Sequence, residues 1–453
     1  MKITVKNLGA VNEAEIDLKP LTVFVGHNST GKTWTAYALA SVFSSYGFNK
    51  YLESYIDGKT EQIYPVLDEA IEKFIQEGSA EIDVVQFAKE NIQSYINDVA
   101  CLAPTWMRSY LSTRRVNFED LVIHIDLHGC EKQLAEKIKT ASSRVVLSIL
   151  SDKLNFYKEE DSNKIIFFIE SNKKTKNQIP DQIIKRFICQ GVFTILHRVF
   201  FLDTFLFPTE RTAFITLPIQ KTRDSFTAIE RNHPIVSFEN MIFNASSISL
   251  DNRIEDIENT PPIEHYMALA TFLEDEILRG KGDFEESGLY KELLFSDKDV
   301  KLEMNVTSSM IKELMPLVLY LRYLAKPHEL IVIDEPEMHL HPAAQIEIIE
   351  FLAMLVNAGL NVLITTHSPY IVDHLSNLLA AKKHDNQEEI KQYFYLKDDR
   401  AFIAQDKVSV HVFENNTAKN ILAEDGNINW ETFWNVSSDI SGIYSYLLKT
   451  KKT

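Results

Sequence analysis

The run Gly26-His27-Asn28-Ser29-Thr30-Gly31-Lys32-Thr33 fits the pattern G-x-x-x-x-G-K-[ST]. Gly26 and Gly31 let the backbone wrap closely around an anion with its N–H groups turned inward. His27, Asn28, Ser29 and Thr30 carry the amides between them. A helix opening at Lys32 adds the positive end of its dipole. Lys32 brings charge to the β- and γ-phosphates of a nucleoside triphosphate, and the Thr33 hydroxyl is a ligand for Mg²⁺. Far along the chain, Leu330-Ile331-Val332-Ile333-Asp334-Glu335-Pro336 ends an apolar run on two carboxylates. There Asp334 holds Mg²⁺ through water, and Glu335 orients or deprotonates an attacking water. Ile364-Thr365-Thr366-His367-Ser368-Pro369 closes another apolar run, and a histidine at that edge, His367, can reach a γ-phosphate and sense it. Asn305-Val306-Thr307-Ser308-Ser309-Met310 opens a helix, with Ser308 and Ser309 as cap residues. A helix start with free N–H groups is also an anion site. Taken singly, a capped helix, an acidic strand end and a buried histidine are ordinary features. A phosphate loop that follows a buried strand and opens a helix is specific, and it gives the others their meaning.

These side chains need a frame, and the sequence supplies one. Leu21-Thr22-Val23-Phe24-Val25 is apolar and partly β-branched, as a central strand should be. Residues 329–333 and 360–364 have the same character, with a helical stretch from Gln345 to Val356 between them. That order is a βαβ unit, and it predicts a parallel sheet with ligands at the carboxyl ends of its strands. Ile3–Asn7 and Ala14–Leu18 alternate as half-buried strands. Residues 50–199 read as a mainly helical insertion, broken by strand-like runs at 121–125 and 165–169 and by a polar turn at 171–177. Gly191–Pro208 reads as a buried helix followed by a strand, because His197, Arg198 and Asp203 interrupt it. The tail shows strand-like runs at 393–396 and 408–412. The expected division is a split α/β head of residues 1–49 and 200–384, the insertion at 50–199, and an extension at 385–453 that completes the head.

Composition narrows the function classes. The chain has 453 residues, 45% hydrophobic content and a formal net charge of −17. An acidic surface repels phosphate, so overall charge gives no support to sequence-independent nucleic-acid binding. A local exception is Trp106-Met107-Arg108 with Arg114-Arg115, which mixes aromatic and basic residues. A solvated helix face over one core tryptophan is the simpler reading. Cys101, Cys130 and Cys189 are widely spaced, which fits a reducing cytosol and argues against a CxxC zinc site. His124, Asp126 and His128 share a strand face, and His339 and His341 flank Leu340, but neither set has the further ligand a metal site needs. A transmembrane span and a signal peptide are not expected, so the predicted location is cytoplasmic.

The ordered set of phosphate loop, Ser-rich helix start, D-E-P strand end, H-x-H-P loop and T-H-S-P resembles the SMC-like branch of ABC ATPases. This branch includes OLD-family ATPases and the ATPase of the bacterial Septu antiphage system. The opening Ile3–Gly9 is similar to that group, as is Phe207-Pro208-Thr209-Glu210-Arg211-Thr212, set against its P-A-E-R segment. The resemblance covers about residues 1–45 and 200–380. It implies an ABC-type head, with a mostly parallel sheet and an amino-terminal antiparallel β layer, that binds and hydrolyses ATP with Mg²⁺. It also implies head-to-tail pairing of two copies, or an oligomer of such pairs, in which Ser308 meets the γ-phosphate held by the other chain. Met310 stands where the family has a glycine, which raises a scaffold with little turnover as one alternative. The family's Q-loop glutamine has no secure counterpart here, Gln190 being only a candidate. The implied role is the sensor ATPase of an antiphage defence system controlling a separate nuclease or toxin. A DNA repair or maintenance ATPase is the other alternative. No TOPRIM-type or HNH-type nuclease pattern is evident in the chain.

Overall fold

The computed structural model describes residues 1–149, 152–171, 179–216, 263–287, 290–298 and 300–430, together with 238, 241, 439 and 441–447. Its first strands are β1 (Lys2–Leu8), β2 (Val11–Asp17) and β3 (Leu21–Gly26). Next come β4 (Ser79–Asp83), β5 (Val122–Asp126), β6 (Ser143–Ile149), β7 (Asp152–Lys158), β8 (Lys164–Ser171) and β9 (Thr204–Phe207). The remainder are β10 (Lys281–Ser287), β11 (Tyr290–Asp297), β12 (Val300–Glu303), β13 (Leu330–Asp334), β14 (Asn361–Thr366), β15 (Val408–Glu414) and β16 (Thr417–Asn420).

A nine-stranded sheet runs β5-β1-β2-β16-β15-β3-β14-β13-β9. Every pair from β9 to β15 is parallel, which is the α/β arrangement expected from the βαβ pattern. The amino-terminal β1 and β2 pair antiparallel, and β5 adds to them antiparallel. They are one continuous sheet with the parallel half, joined through β16, which pairs with β2 and β15. The tail residues of β15 therefore lie in the middle of the sheet, beside the phosphate-loop strand.

Alternation along each central strand explains why both faces are covered. Phe24, Leu330, Val332 and Leu363 enter one core with helix Lys32–Phe43 and the 50–199 region. Val23, Val25, Ile331, Ile333, Val362 and Ile364 enter a second core with helices Ser309–Tyr323, Pro342–Asn357 and Pro369–Lys382. Successive side chains of a strand point to opposite faces, so strands apolar at every position must be sandwiched. The sheet's parallel half is fixed in place, and the loops at its carboxyl edge have a rigid base.

Two differences from the sequence reading have physical causes. First, residues 50–199 carry more than helices: β4, β8, β7 and β6 form a four-stranded antiparallel sheet, and β5 joins the central sheet. The signal is weak in β6, where Val146 and Leu147 are both exposed at this sheet's edge, so the expected alternation is missing. Helix Ser45–Ile56 also runs through residue 50. Second, Tyr393-Phe394-Tyr395-Leu396 is not a strand; a 3₁₀ turn at Lys391–Tyr393 precedes a bend at residues 394–396. Its amides go elsewhere: Tyr395 N donates to Glu350 Oε1 at 3.0 Å and Leu396 N to Glu350 Oε2 at 2.7 Å. The polar turn expected at 171–177 falls, beyond Ser171, outside the described residues. The expected helix-then-strand at 191–208 is found as helix Asp181–Arg198 and β9.

Candidate active site at the carboxyl edge of the sheet

The loop between β3 and helix Lys32–Phe43 turns on glycines. Gly26 has φ 142°, and a Cβ there would sit 2.4 Å from the backbone oxygen of Phe413. Gly31 has φ 97°, and a Cβ there would sit 2.4 Å from Val11 Cγ2. A side chain at either position clashes, so the tight loop requires these two glycines. His27, Asn28 and Ser29 are exposed, and Thr30 Oγ1 donates to His27 O at 2.9 Å. Lys32 is only 4% exposed. Its ammonium donates to Gly26 O at 3.0 Å and His27 O at 2.7 Å, which brings its charge to the inside of the loop. Burial lowers its pKa to about 8, against the pull of Glu335, Asp334 and Glu337.

β13 delivers Asp334 to the same place. Its carboxylate is buried and accepts from Thr33 Oγ1 at 3.0 Å, from Tyr37 OH at 3.3 Å and from Thr365 Oγ1. Burial raises the Asp334 pKa, while the Thr365 and Thr33 hydrogen bonds oppose that rise. Two hard oxygen donors, Thr33 and Asp334, thus meet beside the loop, which is the donor chemistry Mg²⁺ takes. Glu335 follows with φ 48°, a left-handed conformation that is unusual outside glycine. Its amide donates to Thr365 O and Thr365 Oγ1, both at 3.1 Å. Its carboxylate lies 3.4 Å from His367 Nε2, and the His367 hydrogen bond lowers the Glu335 pKa despite partial burial. A half-exposed, ionised carboxylate next to a histidine can orient and deprotonate water.

The structure therefore brings Lys32, Thr33, Asp334, Glu335 and His367 into one cluster. It does not bring Ser308 and Ser309 there. Ser308 caps helix Ser309–Tyr323, accepting from Ile311 N at 3.3 Å, and both serines are exposed. None of their hydrogen bonds among the described residues reaches the phosphate loop. Met310 is half-buried and packs against the second core instead of standing clear of the helix tip. Gln190 is exposed on helix Asp181–Arg198, where it lines a cleft of about 1130 Å³. No phosphate-loop residue lines this large cleft, so size alone does not mark the site.

Several site residues escaped the sequence reading. Glu337 Oε1 accepts from Thr366 Oγ1 and from His367 N, both at 2.7 Å, which fixes the turn carrying His367. Burial raises the Glu337 pKa. Ser368 Oγ donates to Gln345 Oε1 at 2.6 Å and caps the next helix at Ile371 N. Thr365 and Tyr37 bind Asp334, as above. The available signal was a polar Thr-Thr pair ending an apolar strand, which implies that its hydroxyls have buried partners. The two histidines after Asp334 have structural partners: His339 pairs with Glu313 at 2.9 Å, and His341 caps helix Pro342–Asn357. Among the described residues, no three His, Cys, Asp or Glu side chains group to hold a metal. Trp106 and Met107 are buried in the first core, and Trp106 Nε1 donates to Ser41 Oγ at 3.2 Å.

The AAA ATPase domain family matches residues 1–372 of the chain. No curated protein matches the sequence. Among solved structures, the chain is similar to an Smc head bound to the C-winged helix domain of ScpA, at 12% identity and TM-score 0.37, covering 96% of this chain and 98% of that one. It is similar to an SMC head domain from Thermotoga maritima at 10% identity and TM-score 0.31, covering 93% and 98%. It is also similar to the recombination mediator protein RecF-ATPrS at 10% identity and TM-score 0.32, covering 93% and 97%.

Proposed function

The chain belongs to the AAA ATPase domain family and is an ATPase, and from that premise we propose that it is a nucleotide-gated switch in which two heads pair head to tail on ATP. The supporting observation is a division within one chain. Lys32, Thr33, Asp334, Glu335 and His367 gather at the sheet edge, while the capped helix tip at Ser308 and Ser309 is exposed and separate from them. A second copy turned head to tail supplies that tip to the triphosphate. In this reading residues 1–49 and 200–384, completed by 385–453, are the head, and 50–199 is the insertion.

Each residue has a task. The amides from Gly26 to Gly31 and the Lys32 ammonium bind the phosphates. Thr33 and Asp334 hold Mg²⁺, which shields phosphate charge when bound. Glu335 takes a proton from the attacking water, and His367 orients Glu335 and senses the γ-phosphate. Ser308 and Ser309 of the partner copy close the site.

The biological role proposed is that of the cytoplasmic sensor ATPase of a bacterial antiphage system, restraining or activating a separate nuclease or toxin. It rests on the ordered motif set and the Phe207–Thr212 segment. No helix among the described residues is long and apolar enough to cross a membrane. The alternative of direct action on DNA loses one support, because Trp106 is buried and cannot stack on a base. The low-turnover scaffold is weakened likewise, because Met310 is half-buried against the second core. The test is sedimentation of the Glu335→Gln variant with Mg-ATP. A dimer that forms only with ATP, and that Ser308→Arg abolishes, is the expected result. A monomer under all conditions refutes the clamp. Turnover strongly stimulated by DNA refutes the sensor role in favour of DNA maintenance.

A further inference from the structure

Arg211 is almost wholly buried, at 1% exposure, and it opens the short helix Arg211–Thr216 just beyond β9. Its guanidinium reaches three segments of the site. Nη1 donates to Pro208 O at 3.0 Å and to Asp334 O at 2.7 Å, and Nη2 donates to Glu335 O at 3.0 Å. Nε donates to Glu313 O at 3.3 Å and lies 2.7 Å from Glu313 Oε2. The Glu313 side chain is fully buried, and its Oε1 pairs with His339 Nδ1 at 2.9 Å.

Glu335 sits in the left-handed region, and such strain persists only where the surroundings over-determine it. Here both of its backbone polar groups are fixed. Thr365 takes its N–H, and its C=O accepts from Arg211 Nη2 at 3.0 Å and from the Met338 amide at 3.1 Å, so Arg211 is the side chain that holds it. The planar fork of an arginine matches this task, because it can hold two neighbouring carbonyls at once while pairing with a carboxylate. Glu313, in turn, lies on helix Ser309–Tyr323, whose amino-terminal tip is Ser308. One buried ion pair thus ties that tip to the backbone of the acidic strand end.

We propose that Arg211 is a positioning residue for hydrolysis: it fixes the Glu335 carboxylate through the Asp334 and Glu335 carbonyls, and through Glu313 it couples that carboxylate to the Ser308 helix. The coupling rests on the reading of Glu335 and Ser308 given above; the tie itself rests only on the contacts of Arg211. The site can bind nucleotide without it, because none of the phosphate-loop amides depends on Arg211.

Arg211→Lys tests the tie, since lysine keeps the charge opposite Glu313 but loses the fork. The expected result is a kcat about 100-fold lower, as for a misplaced catalytic group, with KM and ATP-analogue affinity within about threefold of wild type. Unchanged kcat, or a rise in KM alone, overturns the proposal. Arg211→Met with Glu313→Leu removes the pair together, a change that buried ion pairs often tolerate. This double variant is expected to melt below wild type, because the carbonyls of Pro208, Asp334 and Glu335 lose their donor, yet to stay folded, bind the ATP analogue and lose turnover; wild-type turnover in it overturns the proposal. Glu335→Gln is assayed alongside. If it retains wild-type turnover, the role given to Glu335 fails, whereas normal turnover in Arg211→Lys with an inactive Glu335→Gln defeats the Arg211 tie alone.

Discussion

Nucleotide affinity should fall at alkaline pH, and Lys32 sets both the window and the size of the effect. Lys32 is 4% exposed, and burial lowers its pKa to about 8. Triphosphate binding favours the charged form, so the Lys32 pKa rises when nucleotide binds. Affinity is then complete below about pH 8 and is lost as pH rises through that value. With a free-state pKa of about 8, raising pH from 7 to 9 weakens binding by about tenfold, or about 1.4 kcal/mol. Glu335 does not interfere in this window, because His367 holds its carboxyl below the usual range. The assay is titration of wild type with a fluorescent, non-hydrolysable ATP analogue and Mg²⁺ at pH 7, 8 and 9. Lys32→Met is measured in parallel and should bind weakly at every pH, with a ratio between pH 7 and 9 near one. Flat wild-type affinity across the range refutes the argument, since the ammonium is then not desolvated. A pH slope that survives in Lys32→Met refutes it too, by assigning the titration to another group.

Two further outcomes test the frame. Gly26→Ala should abolish analogue binding and lower stability by about 2 kcal/mol or more in urea melts, because its Cβ meets the Phe413 carbonyl at 2.4 Å. Gly442→Ala, where a Cβ meets nothing within 4 Å, is the neutral control, and equal effects of the two exclude the steric account. Glu350→Ala should destabilise the protein by about 3 kcal/mol, because His374 and the amides of Tyr395 and Leu396 lose a buried partner. Faster hydrogen exchange at those two amides is the accompanying signal, and an unchanged melting curve with protected amides removes Glu350 as the cause of that segment's shape.

The phosphate loop was legible because local geometry alone demands it. Gly26 and Gly31 adopt positive φ, a local backbone requirement, so the chain carries the loop's demand in its own residue types. β3, β13 and β14 were legible for a related reason. A strand sandwiched between two cores is apolar at every position, and this marks it without reference to its neighbours. The acidic pair Asp334-Glu335 followed from its place at the end of such a strand.

Partnerships between distant segments were decided only by the tertiary structure. Nothing near Arg211 in sequence signals that it holds the carbonyls of Asp334 and Glu335, and nothing near Glu313 signals that it faces Arg211 and His339. Tyr393–Leu396 has strand-forming residues, yet a carboxylate on another helix takes the amides a sheet would have used. β15 enters the middle of the sheet from the tail because its parallel neighbour β3 leaves an open edge there, a pairing no local pattern encodes. Residue types fix which backbone shapes and which faces are available. Which buried donor meets which acceptor depends on how the chain closes on itself, and that closure placed Glu335 where its chemistry is available.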